Sequence, residues 1–237
     1  LLDLGARGER VLARWRVAAA VVLLAWPLAG VMQGATSMHV AVAFALVFAY
    51  LIGSLLLAVR TQRTRRLRRL PFASTAFDVG MAVACIAALV VQDAAAGLNA
   101  TGAWVGLAAA GVGTGLRVDV RTTALAGALA LLATPLLVLL GWLVHGVQGF
   151  DSLDHGSVGA GDLLLRMLAL AALAALVANG THRARRLIEV SGTDTLTGLP
   201  NRTWLLQRMP QLLESVQTDG GGLTVALIDL DHVRRIN

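Results

Sequence analysis

The chain has 237 residues, 57% of them hydrophobic and 14% charged, with a mean hydropathy of +0.71 and a net charge of +6. A soluble domain carries about a quarter charged residues, so this composition excludes an ordinary soluble enzyme and points to long segments lying in lipid. All 20 basic residues are Arg, and most sit in short loops beside apolar runs, which assigns the positive charge to membrane topology rather than to nucleic acid.

Six apolar stretches follow in order: Arg16 to Gln33, Met38 to Val59, Phe72 to Val91, Ala100 to Leu116, Thr122 to His145 and Asp162 to Asn179. Each is long enough to cross a hydrocarbon core of about 30 Å at about 1.5 Å per residue; the fourth is the shortest and the richest in Gly. The sequence opens at Leu1-Leu2 rather than Met and is expected to lack its true start. The first stretch is not read as a cleaved signal, because more spans follow and no small-residue cleavage site is present.

The flanking charges alternate. Arg7, Arg10, Arg14 and Arg16 precede the first stretch. Arg60, Arg63, Arg65, Arg66, Arg68 and Arg69 separate the second from the third, Arg117 and Arg121 the fourth from the fifth, and Arg183, Arg185 and Arg186 follow the sixth. The other three loops hold no basic residue and carry Asp93, Asp151, Asp154 and, at the boundary, Asp162. This positive-inside pattern places both chain ends in the cytoplasm and requires an even number of spans. Trp26, Trp104 and Trp142 then fall towards the outer interface and Trp15 at the inner one.

Within the stretches, Gly102/Gly106 and Gly111/Gly115 are spaced for close helix packing inside the bundle, or for a dimer face. Pro135 after Thr134 predicts a kink. Two charges lie inside spans: Asp78 is expected to reach the basic loop, and Arg166 to snorkel outward, the two too far apart to pair. His39, His145, Asp151, Asp154 and His155 collect on the outer side. They lack tight ligand spacing, and solvated loop residues are favoured over a metal or pH sensor. Cys85 is the single cysteine, so no internal disulfide forms and its role is that of a small apolar filler.

After the sixth stretch the composition turns polar. Residues 181 to 190 extend the helix as a linker until Gly192 ends the pattern. Asp194-Thr-Leu-Thr-Gly-Leu-Pro-Asn-Arg202 reads as a structured turn into a helix, with Gly198 allowing an unusual backbone angle and Asn201 placed as a cap. Leu205, Met209, Leu212 and Val216 share one face of that helix, which Pro210 bends or restarts. Asp219-Gly-Gly-Gly222 is a turn. Leu223 to Ile228 predicts a strand buried on both faces, ending in Asp229-Leu-Asp231. Carboxylates two apart at a strand mouth are hard oxygen ligands suited to Mg²⁺ and so to phosphoryl transfer; strand-end Asp residues also serve turns and caps.

Two segments together resemble a known family. Asp194 to Arg202 is similar to the D-x-L-T-G-L-x-N-R opening of GGDEF domains at every specified position. Ile228-Asp-Leu-Asp-His-Val-Arg-Arg-Ile-Asn237 resembles the family's I-D-x-D-x-F-K-x-I-N segment. The apolar stretches predict an α-helical membrane bundle of about six spans (residues 1–180) and a linker helix (181–193), and the resemblance implies that 194–237 is the N-terminal part of an α/β GGDEF domain related to nucleotide cyclases and polymerase palms. It also implies a membrane-anchored diguanylate cyclase of the bacterial inner membrane, condensing two GTP into cyclic di-GMP as a homodimer, with membrane lipid as its other partner.

By the same resemblance, Asp229 and the backbone carbonyl of Leu230 ligate Mg²⁺ or Mn²⁺, and Asn237 hydrogen-bonds guanine. Arg234 stands where a Lys usually contacts phosphate, supplying the same charge with another geometry. His232 and Val233 line the substrate, Val233 replacing the usual Phe. The Gly-Gly-Asp/Glu-Glu-Phe hairpin and its second metal-binding carboxylate do not occur in the sequence, nor does an inhibitory Arg-x-x-Asp site upstream of it. These 237 residues alone are expected not to cyclise GTP, the function belonging to a longer protein. The alternatives are a degenerate GGDEF receptor or scaffold, and a GGDEF–EAL phosphodiesterase. A transporter would show paired internal repeats and several midplane polar residues, which the sequence does not display.

Overall fold

The computed structural model describes residues 2–32, 34, 36–63, 69–194, 196–226 and 228. They divide into two compact units, Leu1–Arg185 and Arg186–Asn237.

The first unit opens with helices α1 (Leu2–Leu23) and α2 (Ala25–Met32), interrupted at Leu24. Pro27 accounts for the interruption: it has no N–H and its ring collides with the carbonyl four residues back, that of Leu23. The chain passes the gap with a shorter-range bond, Leu24 N–H to Val21 O at 3.2 Å. Helices α3 (Ser37–Arg63) and α4 (Leu70–Gln92) follow. Pro71 sits at the start of α4, where its missing donor is no loss. Asp93 caps the short α5 (Ala94–Asn99), its carboxylate accepting from Ala96 N–H at 2.9 Å. Helix α6 (Thr101–Gly113) runs into a 3₁₀ turn, Thr114–Arg117. Helix α7 (Val120–His145) is capped by Asp119 and passes through Pro135 as one element. A two-residue-per-strand hairpin, β1 (Asp151–Ser152) with β2 (Gly156–Ser157), leads to α8 (Ala160–Ser191).

Among the described residues, five helical segments are long and apolar enough to cross a membrane: Gly8–Met32, Met38–Thr61, Leu70–Gln92, Val120–His145 and Ala160–Leu187. They match five of the six expected stretches, the first beginning at Gly8 rather than Arg16. The expected fourth span, Ala100 to Leu116, does not form a helix of spanning length. Its α6 has 13 residues, about 20 Å of helix against a core of about 30 Å. Gly102, Gly106, Gly111 and Gly113 lower its helix propensity, and the last turn tightens to 3₁₀. The segment still packs along α4. At one end Trp104 Nε1 donates to Leu98 O at 2.8 Å; at the other Arg117 reaches Ser74 and Thr75 in the first turns of α4.

The core lies between α4, α5, α6 and α7, built from Val79, Ile86, Val90, Ala94, Leu98, Trp104, Leu107, Ala126, Ala130 and Leu137. Its many Ala residues suit helices in lipid, where van der Waals contact at close approach replaces the hydrophobic drive. Of the four glycines spaced for close packing inside the bundle, Gly115 has a close neighbour and the other three do not. A Cβ placed on Gly102, Gly106 or Gly111 would meet nothing within 4 Å, while Gly115 faces Val177 of α8. The glycines that lie directly against a neighbour's backbone are instead Gly8 of α1, facing the carbonyl of Leu116, and Gly97 of α5, facing Val90. Trp15, Trp26 and Trp142 are exposed, whereas Trp104 is buried in the core.

The second unit contains α9 (Arg202–Asp219), which continues through Pro210 without a break. The buried strand expected over Leu223 to Ile228 is not found. Residues 223–226 and 228 form no strand, and Val225 and Ile228 are 64% and 85% exposed. A strand buried on both faces needs neighbours on both edges, and the described residues of this unit provide none.

Candidate functional site

The D-x-L-T-G-L-x-N-R segment is built as a turn whose polar side chains take up its own backbone. Asp194 Oδ1 accepts from Thr197 N–H at 2.9 Å, from the Thr197 hydroxyl at 2.9 Å and from Leu196 N–H at 3.2 Å. These donors, Thr197 first, hold the Asp194 carboxyl below the usual carboxylate range. Gly198 sits at φ +69, a left-handed angle that favours Gly, and its N–H closes the turn on Asp194 O at 2.9 Å. Asp194 N–H bonds Leu199 O and Asn201 N–H bonds Gly192 O, with a bridge between Thr193 and Pro200. Asn201 then caps α9: its side-chain oxygen accepts from Trp204 N–H at 3.1 Å while its amide donates to Thr193 O. Asp, Thr, Gly and Asn of the motif thus have local structural work.

The residues assigned to chemistry by sequence, Asp229, Leu230, His232, Val233, Arg234 and Asn237, lie outside the described residues. Their roles rest on the sequence alone.

The structure reveals a second cluster that sequence reasoning missed. Four charged side chains from three segments close a ring at the end of the bundle where α1 and α4 begin. Arg16 holds Asp78 with both nitrogens of its fork, Nε to Oδ1 and Nη2 to Oδ2, each at 2.7 Å. Arg16 Nη1 donates to Glu9 Oε1 at 3.1 Å. The other oxygen of Glu9 accepts from Arg117 Nε at 2.6 Å. Arg117 Nη2 lies 3.5 Å from Asp78 Oδ2 and completes the ring. The remaining Arg117 donors go to Thr75 Oγ1 at 2.6 Å and Ser74 Oγ at 2.9 Å. Glu9 and Arg117 side chains are 1% exposed, Arg16 3% and Asp78 12%. Two cations face two anions, so the ring is neutral, as burial demands.

Asp78 therefore pairs with Arg16 and Arg117. The legible hint was the seven-residue spacing of Glu9 and Arg16, which puts opposite charges on one face of α1 two turns apart. Arg117 gave no such sign, because its partners are 39 or more positions away.

At the opposite end of the bundle, Arg166 does not reach outward. It donates to Leu98 O and to Asn99 Oδ1, and its guanidinium lies 5.5 Å from the Trp104 ring centroid. Asn99 Nδ2 donates to His155 O at 2.9 Å, tying the hairpin to α5. His155 Nδ1 stands 3.3 Å from Asp93 Oδ2. The Ala96 N–H, followed by His155, holds the Asp93 carboxyl below the usual range. His145 Nε2 donates to Val90 O at 2.9 Å. The histidines thus turn to separate partners, and no three metal-ligating side chains converge among the described residues.

By class, this is a helical protein with five membrane-compatible segments, carrying the chain through α8 into a capped turn and helix. Comparison bears on that second part: residues 191–237 match the family model described as diguanylate cyclase, GGDEF domain. The chain is 51% identical over 45 residues to the diguanylate cyclase DgcP of Pseudomonas aeruginosa, covering 19% of this chain and 7% of that protein. Over 56 residues it is 43% identical to the cyclic di-GMP phosphodiesterase NbdA of the same species, covering 24% of this chain and 7% of that protein. The chain therefore spans a small part of the curated relatives it matches. No solved structure matches it. The family and both relatives point to cyclic di-GMP metabolism.

Proposed function

We propose that the full-length protein is a membrane-bound diguanylate cyclase that condenses two GTP into cyclic di-GMP under control of its helical bundle. The observation that carries this reading is the occurrence of both motifs, Asp194 to Arg202 and Ile228 to Asn237, in the family's order within the matched segment. The donor set suits Mg²⁺ or Mn²⁺, since Asp229 and the Leu230 carbonyl are hard oxygens at the end of an apolar run. When bound, such an ion neutralises phosphate charge during in-line displacement. Arg234 adds a fixed cation at the phosphates, Asn237 hydrogen-bonds the guanine edge, and His232 and Val233 present backbone donors to the substrate. Two GTP-loaded copies must face each other, so the active species is a homodimer.

The bundle is assigned to residues 1–180, the linker helix to 181–193 and the catalytic domain to the chain from 194. Alternating Arg loops orient both ends to the cytoplasm of a bacterial inner membrane. With α6 and its 3₁₀ turn counted as a sixth crossing, which their run along α4 supports, the even number of passages is met.

A second reading, a cyclic di-GMP phosphodiesterase with an attached GGDEF domain, is favoured by the match to NbdA. The test is cyclic di-GMP formation from GTP by the full-length protein in membranes, wild type against Asp229→Ala. Loss of product in the variant is expected. Equal product in both removes the metal role of Asp229, and no synthesis with hydrolysis of added cyclic di-GMP turns the reading to the phosphodiesterase.

A further inference from the structure

Val118 is the one non-glycine residue with a positive φ among the described residues, at φ 52 and ψ 32. A β-branched side chain disfavours this left-handed region, and such strain persists only where the surroundings impose it. The surroundings here are specific. The residue before it, Arg117, is gripped by Glu9, Asp78, Ser74 and Thr75. The residue after it, Asp119, is committed as the cap of α7, its side chain accepting from Arg121 N–H and its carbonyl from the Thr122 and Thr123 amides. Thr114 Oγ1 also donates to Thr123 Oγ1 at 2.9 Å, fastening the turn to α7 from the other side. Val118 is the single residue between two pinned neighbours, and it absorbs the reversal from the 3₁₀ turn into α7.

We propose that the ring of Glu9, Arg16, Asp78 and Arg117 is a latch that holds the α6–α7 turn closed against the backbone strain of Val118. Glu9 and Arg16 both belong to α1, so a shift of α1 along its axis withdraws the partner of Arg117 Nε. Arg117 then leaves its buried place, Val118 relaxes to an ordinary angle, and the turn that sets the start of α7 opens. The ring is discrete: each pair is made at 2.6–3.5 Å or not at all, which suits a two-position element rather than a graded one. Gly8 fits this arrangement, because its missing Cβ lets α1 seat against Leu116 of the same turn. The latch concerns the bundle alone and stands whether or not the C-terminal domain is catalytic.

The test is limited trypsin digestion of the full-length protein in micelles, scoring cleavage after Arg117 by mass spectrometry with cleavage after Arg202 and Arg208 as references. In the wild type Arg117 is buried and protected. Glu9→Gln is expected to speed cleavage at Arg117 by about tenfold or more relative to the references, since proteolysis follows the open population. Adding Val118→Gly relieves the strain of the closed form and should return the cleavage rate towards wild type. Unchanged cleavage in Glu9→Gln overturns the latch. Equal cleavage in Glu9→Gln with and without Val118→Gly overturns the strain part of it. If Glu9→Gln does not yield folded protein, Ser74→Ala with Thr75→Val keeps every charge, loosens Arg117 and allows the same comparison with the same decisive outcomes.

Discussion

Arg16→Met tests how the charged ring contributes to stability. Arg16 makes two contacts of 2.7 Å to Asp78. At an effective dielectric constant of about 20, a unit pair at that distance attracts by roughly 6 kcal/mol, against a desolvation cost of several kcal/mol per ion. The net worth of the intact pair is therefore small, but breaking it is costly. Met leaves Asp78, 12% exposed, with Arg117 at 3.5 Å as its one remaining cation, and the ring carries one uncompensated negative charge. The expected loss is about 3–5 kcal/mol. Arg16→Met combined with Asp78→Leu leaves the Glu9–Arg117 pair neutral and complete, so the double variant should recover most of that loss, within about 1 kcal/mol of wild type or above it. The assay is equilibrium unfolding in mixed micelles for wild type, both single variants and the double, giving a coupling free energy. A single-variant loss below about 1 kcal/mol, the worth of an exposed pair, would refute the claim that these charges are buried and interlocked. A double variant as unstable as the sum of the singles would refute their pairing.

Gly8→Ala separates packing from propensity. On a free helix, Ala in place of Gly stabilises by about 0.5–1 kcal/mol; with Gly8 against the Leu116 carbonyl, the added methyl should instead destabilise by about 1–3 kcal/mol in the same unfolding assay. In the second unit, Asp194 has a folded pKa below its ordinary 3.8. Its contribution to the turn is present above that value and lost as pH falls through the folded value, the sign expected of a depressed carboxylate. Amide exchange at Thr197, compared at matched intrinsic rates, should show protection falling on acidification in wild type and little further pH dependence in Asp194→Asn. A wild-type profile flat across that range would contradict the Asp194–Thr197 hydrogen bonds.

Much of the fold was legible because it follows from local physics. Apolar runs of spanning length mark helices whatever their neighbours, so five of the six expected stretches stand as long helices. The D-x-L-T-G-L-x-N-R turn was equally readable, since Asp194, Gly198 and Asn201 act on backbone groups within a few residues of themselves. The cyclase residues from Asp229 to Asn237 are a matter of sequence throughout. Where the local reading failed, distance along the chain explains it. Regular Gly spacing in α6 suggested a packing face, but a glycine's use depends on what lies opposite it, and the closest backbone approaches occur at Gly8 and Gly97.

By itself the sequence determined which segments are helical and apolar, where the charges collect and which family the C-terminal segment resembles, because each of these is encoded in neighbouring residues. The tertiary structure alone decided that Asp78 pairs with Arg16 and Arg117, that Arg166 folds back onto Leu98 and Trp104, and that Val118 is held at a strained angle. Those facts depend on partners 39 to 108 positions apart for Asp78, Arg117 and Arg166, and a buried charge is specified by whatever counter-charge the fold brings to it.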